Sequence, residues 1–240
     1  MFFKQKACWL LTGFFCCIIQ VLSAQDQKVA DSLAVIYKNK ELDDTTRMEL
    51  LRQLSFNEWR DLRLGLRYAE ELISLAAKKN NPLFLHRGYL LKGTKKRLLG
   101  ELEEALNAYF KSVEAATQAD YPRGEGNTYM AIADIYAASG NHNNATLYYG
   151  KAIRTFRESA DSTFLAAVLT NAGSQYMDNK IFDTALIYFK ESTTIYELID
   201  YPVGKAYNLG NLGILYADMG NTDLAEKNIN EAIPILEENE

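Results

Sequence analysis

Two asparagines, Asn171 and Asn211, stand 40 positions apart, and each opens a small-residue stretch, Asn171-Ala172-Gly173 and Asn211-Leu212-Gly213. A carboxamide carries both donors and an acceptor, so such a pair can hydrogen-bond a peptide backbone without reading its side chains. The other use of the same groups is to satisfy neighbouring helix ends. Little else in the 240 residues has the types and spacing for chemistry. The only histidines, His86 and His142, are 56 positions apart, far from the close pairing a helical metal site needs. His142 falls in the turn Gly140-Asn141-His142-Asn143-Asn144 and is expected to be solvated, whereas His86 opens a helix, where a surface or groove role is open to it. Gly124-Glu125-Gly126 looks like a phosphate-binding glycine loop, but no strand precedes it. There is no nucleophile elbow. No catalytic residue, metal or cofactor is expected, and the chain reads as a binding protein rather than an enzyme.

The amino-terminal residues read differently from the rest. Lys4 and Lys6 precede an apolar run from Ala7 to Leu22, Ser23 and Ala24 close it, and no acidic residue appears before Asp26. That pattern predicts a secretory signal peptide over residues 1–24, hence an exported, periplasmic or secreted protein, anchored to the membrane if the segment is retained. All three cysteines (Cys8, Cys16 and Cys17) fall inside it, so the remaining chain has no disulfide, thiolate site or cysteine nucleophile. Charge is uneven along that remaining chain. Residues 43–97 hold 12 basic and 7 acidic side chains, and residues 98–240 hold 9 basic and 21 acidic. A nucleic-acid binder needs a basic face along its length, so that class is excluded.

The elements that must position the asparagines repeat with the same 40-residue period. Ala105, Ala145, Ala185 and Ala225 keep it. So do Pro82, Pro122 and Pro202, with Ser162 as the exception, and Gly100, Gly140 and Gly220, with Lys180 as the exception. Such self-similarity is the mark of a repeat array. In the repeat that starts at Tyr201, Pro202 suits a first helical turn. Ala206, Leu209, Leu212, Gly213 and Tyr216 then recur with a helical period. Gly220 ends that helix in the left-handed conformation, and Asn221 or Thr222 caps the next. Leu224, Ala225, Ile229, Ala232 and Ile233 form the apolar face of the second helix. Each repeat is therefore an antiparallel pair, helix A then helix B.

This pattern resembles the tetratricopeptide repeat. That family puts a small residue at its eighth position, here Gly93, Ala133, Gly173 and Gly213. Tyr stands at the eleventh, here Tyr136, Tyr176 and Tyr216, with Lys96 departing. The four alanines hold the twentieth, and aromatics the twenty-fourth, here Tyr109, Tyr149 and Phe189, with Ile229 departing. The physical logic is close backbone approach at the small residues, with aromatics filling the flanks. The family's usual period is shorter, so the likeness is to its longer-helix branch, which includes kinesin light chains and bacterial peptide-sensing receptors. The resemblance implies an all-α, right-handed α-solenoid. Its parts are an N-terminal capping helix within 26–42 and repeats over 43–240, at about 43–80, 81–120, 121–160, 161–200 and 201–238. It also implies a concave groove lined by helix A, on which fall Asn171, Asn211, Asn127, Arg87, Asp134, Ser174 and Tyr207.

The function implied is non-catalytic binding of a protein or peptide in that groove. The competing expectation is the sensor region of a bacterial signalling enzyme or regulator whose chain continues past Glu240. The last helix bears on it: Ile229, Ile233 and Leu236 have no following repeat to cover them, which predicts either further chain or self-association there. Pro234 is expected to kink or end that helix near Ile233.

Overall fold

Proline, glycine and asparagine punctuation leaves runs of about the same length between turns, and each run is a helix. The computed structural model describes residues 27–38 and 41–239. The expected signal peptide, 1–24, lies outside the described residues. Helix α1 covers 27–38, followed by α2 (Asp44–Asn57), α3 (Leu62–Lys78), α4 (Pro82–Leu98), α5 (Leu102–Gln118) and α6 (Pro122–Ala138). Then come α7 (His142–Glu158), α8 (Ser162–Asp178), α9 (Phe182–Leu198), α10 (Pro202–Asp218) and α11 (Thr222–Glu237). Eleven helices and no strand occur among the described residues, as the periodicity predicts.

One residue in the left-handed region closes nearly every turn. After helix A it is Gly100, Gly140, Lys180 or Gly220, with φ between 59° and 79°. After helix B it is Asn80, Asp120, Ala160 or Asp200. The next N–H then reaches back into the last turn, as Asn141 N to Tyr136 O at 2.8 Å and Asn221 N to Tyr216 O at 2.8 Å. This is the double closure that satisfies orphan carbonyls. Most starts are capped in one of two ways; Ile181, before α9, makes neither. Asp61, Asn81, Asn141, Asp161 and Asn221 accept from a backbone N–H three residues on. Tyr121 and Tyr201 make no such cap, and there Pro122 and Pro202 start the helix with no N–H to satisfy.

The chain divides into two compact units, Met1–Ala115 and Ala116–Glu240. In the first, Met48, Leu51, Ala69, Leu72, Ala76, Phe84 and Leu91 form the core of α2, α3 and α4. Helix α1 stands in the register of residues 147–158 of α7, three periods on. Tyr37 takes the place of Arg157, and the two reach equivalent carboxylates, Glu71 and Glu191. Helix α1 is thus a helix B. The turn at 58–61 lacks a left-handed residue. Side chains build it instead: Glu58 Oε1 accepts from Arg60 N and Asp61 N, and Gln27 Oε1 from Trp59 N and Arg60 N. Sequence spacing makes this turn look merely short.

In the second unit, Ala133, Ala145, Tyr149, Ile153, Phe156, Leu169 and Ala172 make one core, and Ala185, Phe189, Leu209, Leu212 and Leu215 another. Ala145 and Ala185 are 0% exposed. A Cβ built on Gly173 would stand 2.7 Å from Phe189 Cε1, so the small eighth residue is what lets the pair close. Contacts are largely local: the side-chain bonds Arg87–Glu49, Arg123–Asp161 and Thr170–Asn208 each span 38 positions, about one period. Two expectations are corrected: α11 does not end near Ile233, and His86 is not at the surface. Helix α11 runs through Pro234 to Glu237. The proline is exposed, Asn230 alone loses its helical partner, and Glu238 N closes the end onto Pro234 O at 3.0 Å. His86 is no surface residue: it is 2% exposed and bonds Ser112.

Candidate functional site

On a helix of 3.6 residues per turn, positions i, i+4 and i+7 fall on one stripe. In α10 that stripe is Tyr207, Asn211 and Ile214; in α8 it is Ala167, Asn171 and Ser174; in α6 it is Asn127, Ala131 and Asp134. All three are helices A of the second compact unit, and α8 touches both α6 and α10. The stripes therefore lie on neighbouring helices A. Six of the seven expected site residues share this face. The seventh, Arg87, lies on α4 of the first unit, half-buried, 3.5 Å from Glu49 Oε2 and 5.0 Å from the Phe84 ring.

The six differ in how free they are. Asn171 and Asn211 are half-buried and make no side-chain hydrogen bond among the described residues. Ser174 Oγ donates to Thr170 O at 3.1 Å, the bond an in-helix serine makes when nothing else engages it. Asn127 is half-buried, and its Oδ1 is fully buried without a partner. Asp134 accepts from Tyr149 Oη at 2.6 Å. Burial, the Asp134 carboxylate beside it and, more weakly, Asp178 push that phenol far above its ordinary value. Tyr207 is 61% exposed, an open aromatic rather than a packing one.

Two cavities lie elsewhere, between successive helices B. One, of about 260 Å³, is lined by Glu70, Tyr89, Lys92, Lys96 and Lys111. The other, of about 430 Å³, stands three periods on and is lined by Lys190, Glu197, Lys205, Tyr216 and Glu231. None of the seven site residues lines either. Several of their cations are engaged: Lys92 meets Glu70 at 2.7 Å, and Lys205 bridges Glu197 and Glu231 at 2.9 and 3.0 Å.

Three buried polar groups escaped the sequence reading. Lys95 is 1% exposed, donates to Glu58 O at 2.7 Å and sits 4.6 Å from the Trp59 ring; burial lowers its ammonium to about 8. Asn208 is fully buried and donates to Phe189 O and Thr193 Oγ1 at 2.5 and 2.6 Å. Gln175 joins His142 Nδ1 at 2.7 Å, so that histidine is not purely solvated. The available signal was departure from register. Lys95 and Gln175 stand where Ile135 and Leu215 do, and Asn208 where Gly88, Thr128 and Val168 do. All three are structural: they fill buried positions between helices with their hydrogen bonds made.

Comparison with known proteins agrees with this architecture. The tetratricopeptide repeat profile matches residues 126–158 and 206–235. No curated protein sequence matches the chain. Among solved structures, BtubC (BKLC) from P. vanneervenii superposes with a TM-score of 0.74 at 18% identity over 89% of each chain. The Signal Transduction ATPase with Numerous Domains protein of Pyrococcus horikoshii, which has a tetratricopeptide repeat sensor, gives 0.74 at 20% identity over 92% of this chain and 34% of its own. A Rap protein complexed with Competence and Sporulation Factor gives 0.68 at 15% identity over 85% of this chain and 58% of its own. In fold and in its two profile matches, this chain is a tetratricopeptide-like helical repeat protein.

Proposed function

We propose that this protein is a non-catalytic scaffold that binds a peptide or an extended protein segment on the helix A face of its second compact unit. The observation that carries the reading is the pair Asn171 and Asn211, one period apart on neighbouring helices A, with both carboxamides unengaged among the described residues. Neither carboxamide is among the buried polar atoms left without a partner, so both are open to solvent and available to a ligand. A peptide backbone offers donors and acceptors in series. The Rap structure bound to a sporulation factor lends support from the same fold. The test is selection of binders from a random-peptide display library, followed by affinity measurement on the Asn171→Ala and Asn211→Ala variants. Each lost hydrogen bond should weaken binding by about 0.5–1.5 kcal/mol, with the melting temperature unchanged. Selected peptides that bind both variants as tightly as the parent would remove the reading. Export is proposed from the amino-terminal segment, and N-terminal sequencing of the native protein checks it. A second reading, the sensor region of a larger signalling protein, draws on the exposure of Ile229 (37%) and Ile233 (46%) on α11. The mass of the native protein tests it.

A further inference from the structure

Helix α10 presents an unusual outer stripe. Tyr207 is 61% and Ile214 51% exposed, while Ala206, Leu209, Leu212 and Leu215 of the same helix are at most 5% exposed. On α8 the matching positions are Ala167 and Ser174, so two large side chains rise beside a low floor, with Asn171 and Asn211 between. Nothing among the described residues covers this face.

Its charges are one-sided. Helices α6, α8 and α10 carry Arg123, Glu125, Asp134, Asp178, Lys205 and Asp218. Both cations are spent: Arg123 is held by Asp161 at 2.7 Å and lies over the Phe164 ring, and Lys205 is held by Glu197 and Glu231. Asp134 is on the α6 stripe itself. Asp178 and Asp218 extend the α8 and α10 stripes by one turn beyond Ser174 and Ile214. Both are exposed and in no ion pair. Helices α8 and α10 thus join apolar contact, free amides and unneutralised carboxylates on one face.

We infer that the occupant of this face is a cationic extended peptide segment. Its backbone pairs with Asn171 and Asn211, an apolar side chain lies between Tyr207 and Ile214, and a lysine or arginine meets Asp178 and Asp218. The inference rests on the peptide-binding reading above and adds the sign of the ligand's charge. An anionic segment would meet the Asp178 and Asp218 carboxylates, neither of them in an ion pair, a like-charge cost that selects against it.

The test uses three fluorescent peptides of equal length and equal apolar content, one bearing lysines, one glutamines and one glutamates. Anisotropy titrations at low salt should give the lysine peptide an affinity at least about tenfold above the glutamate peptide, narrowing as salt screens the charges. The Asp178→Asn/Asp218→Asn double variant should lose most of that preference. The Asp183→Asn/Glu226→Gln variant changes net charge equally on helices B and should keep it. Equal losses from both variants would mean bulk attraction only and would overturn the inference. If the glutamine or glutamate peptide binds best and Asn171→Ala weakens it, the cation preference falls while peptide binding stands. If none of the peptides binds, both fall. Concentration-dependent self-association abolished by Tyr207→Ala would assign the face to a second copy and overturn the peptide.

Discussion

Replacing Gly93 by alanine should destabilise the protein, whereas replacing Gly150 by alanine should stabilise it, although both glycines lie inside helices. A Cβ on Gly93 would stand 2.4 Å from Cδ1 and Cε1 of Tyr109, whose side chain is 1% exposed. Ordinary contact begins near 3.4 Å, so a fully packed ring or its helix must retreat. Overpacking of this kind costs about 1–3 kcal/mol. Alanine recovers about 0.8–1.0 kcal/mol of helix propensity. The net is a loss of up to about 2 kcal/mol. Around Gly150 no atom lies within 4 Å, so the propensity gain stands alone. The chain supplies its own control, because Ala133 holds the Gly93 position one period on and is 0% exposed against Tyr149. The reverse change there, Ala133→Gly, should also destabilise, by about 1 kcal/mol of propensity plus the cavity. Urea titrations followed by far-UV circular dichroism, with the slope unchanged, read all three. If Gly93→Ala moved the midpoint upward as far as Gly150→Ala, close approach of helices A and B would not be what the small residue provides.

The buried Lys95 gives a pH signature. Its folded value of about 8 lies below the unfolded one of about 10.4. Below pH 8 both states are protonated and the burial cost is fully present. Between pH 8 and 10 the unfolded chain binds more protons, so stability should rise, by up to about 2–3 kcal/mol. Lys95→Met should flatten the rise in chemical denaturation, and a midpoint that falls over this window in the parent would contradict the assignment. Tyr37 and Tyr129, pushed up to about 12 by burial, oppose this only above pH 10. Burial lowers His86 below its ordinary value, so acidification through the usual histidine range should cost stability, which thermal melts from pH 7 to 5 would register. Ala185→Leu should lower the denaturation midpoint by an overpacking penalty of about 1–3 kcal/mol, and an unchanged midpoint would show a looser contact than 0% exposure implies.

The helices were legible because their punctuation is chemical. Pro122 and Pro202 start them, Gly100, Gly140 and Gly220 stop them, and Ala145 and Ala185 mark where they touch. Lys180 was legible only as an exception; it adopts φ 59° because the turn's two closing bonds outweigh the strain. The site was legible in part. Periodicity puts Asn171 and Asn211 on equivalent positions, and Asn127 one turn earlier on the same stripe of its own helix, but it cannot say that Asn171 and Asn211 are unengaged while Asp134 already holds Tyr149, since that depends on a residue 15 positions away. Arg87 shares the period yet belongs to another compact unit. The buried hydrogen bonds of Lys95 and Asn208 were invisible for the same reason: each polar group looks like a defect until its partner from another helix is known.

The short reach of the side-chain bonds bears on how this chain folds. A contact map confined to roughly one period has low contact order, and such topologies close quickly because little loop entropy must be lost first. Nucleation can begin at any helix pair and spread to its neighbours. A chain emerging from a ribosome can therefore bury each pair once about one further period has emerged, without waiting for its end. Kinetic probes placed in α2–α3 and in α10–α11 should then report similar early rates rather than a single late event.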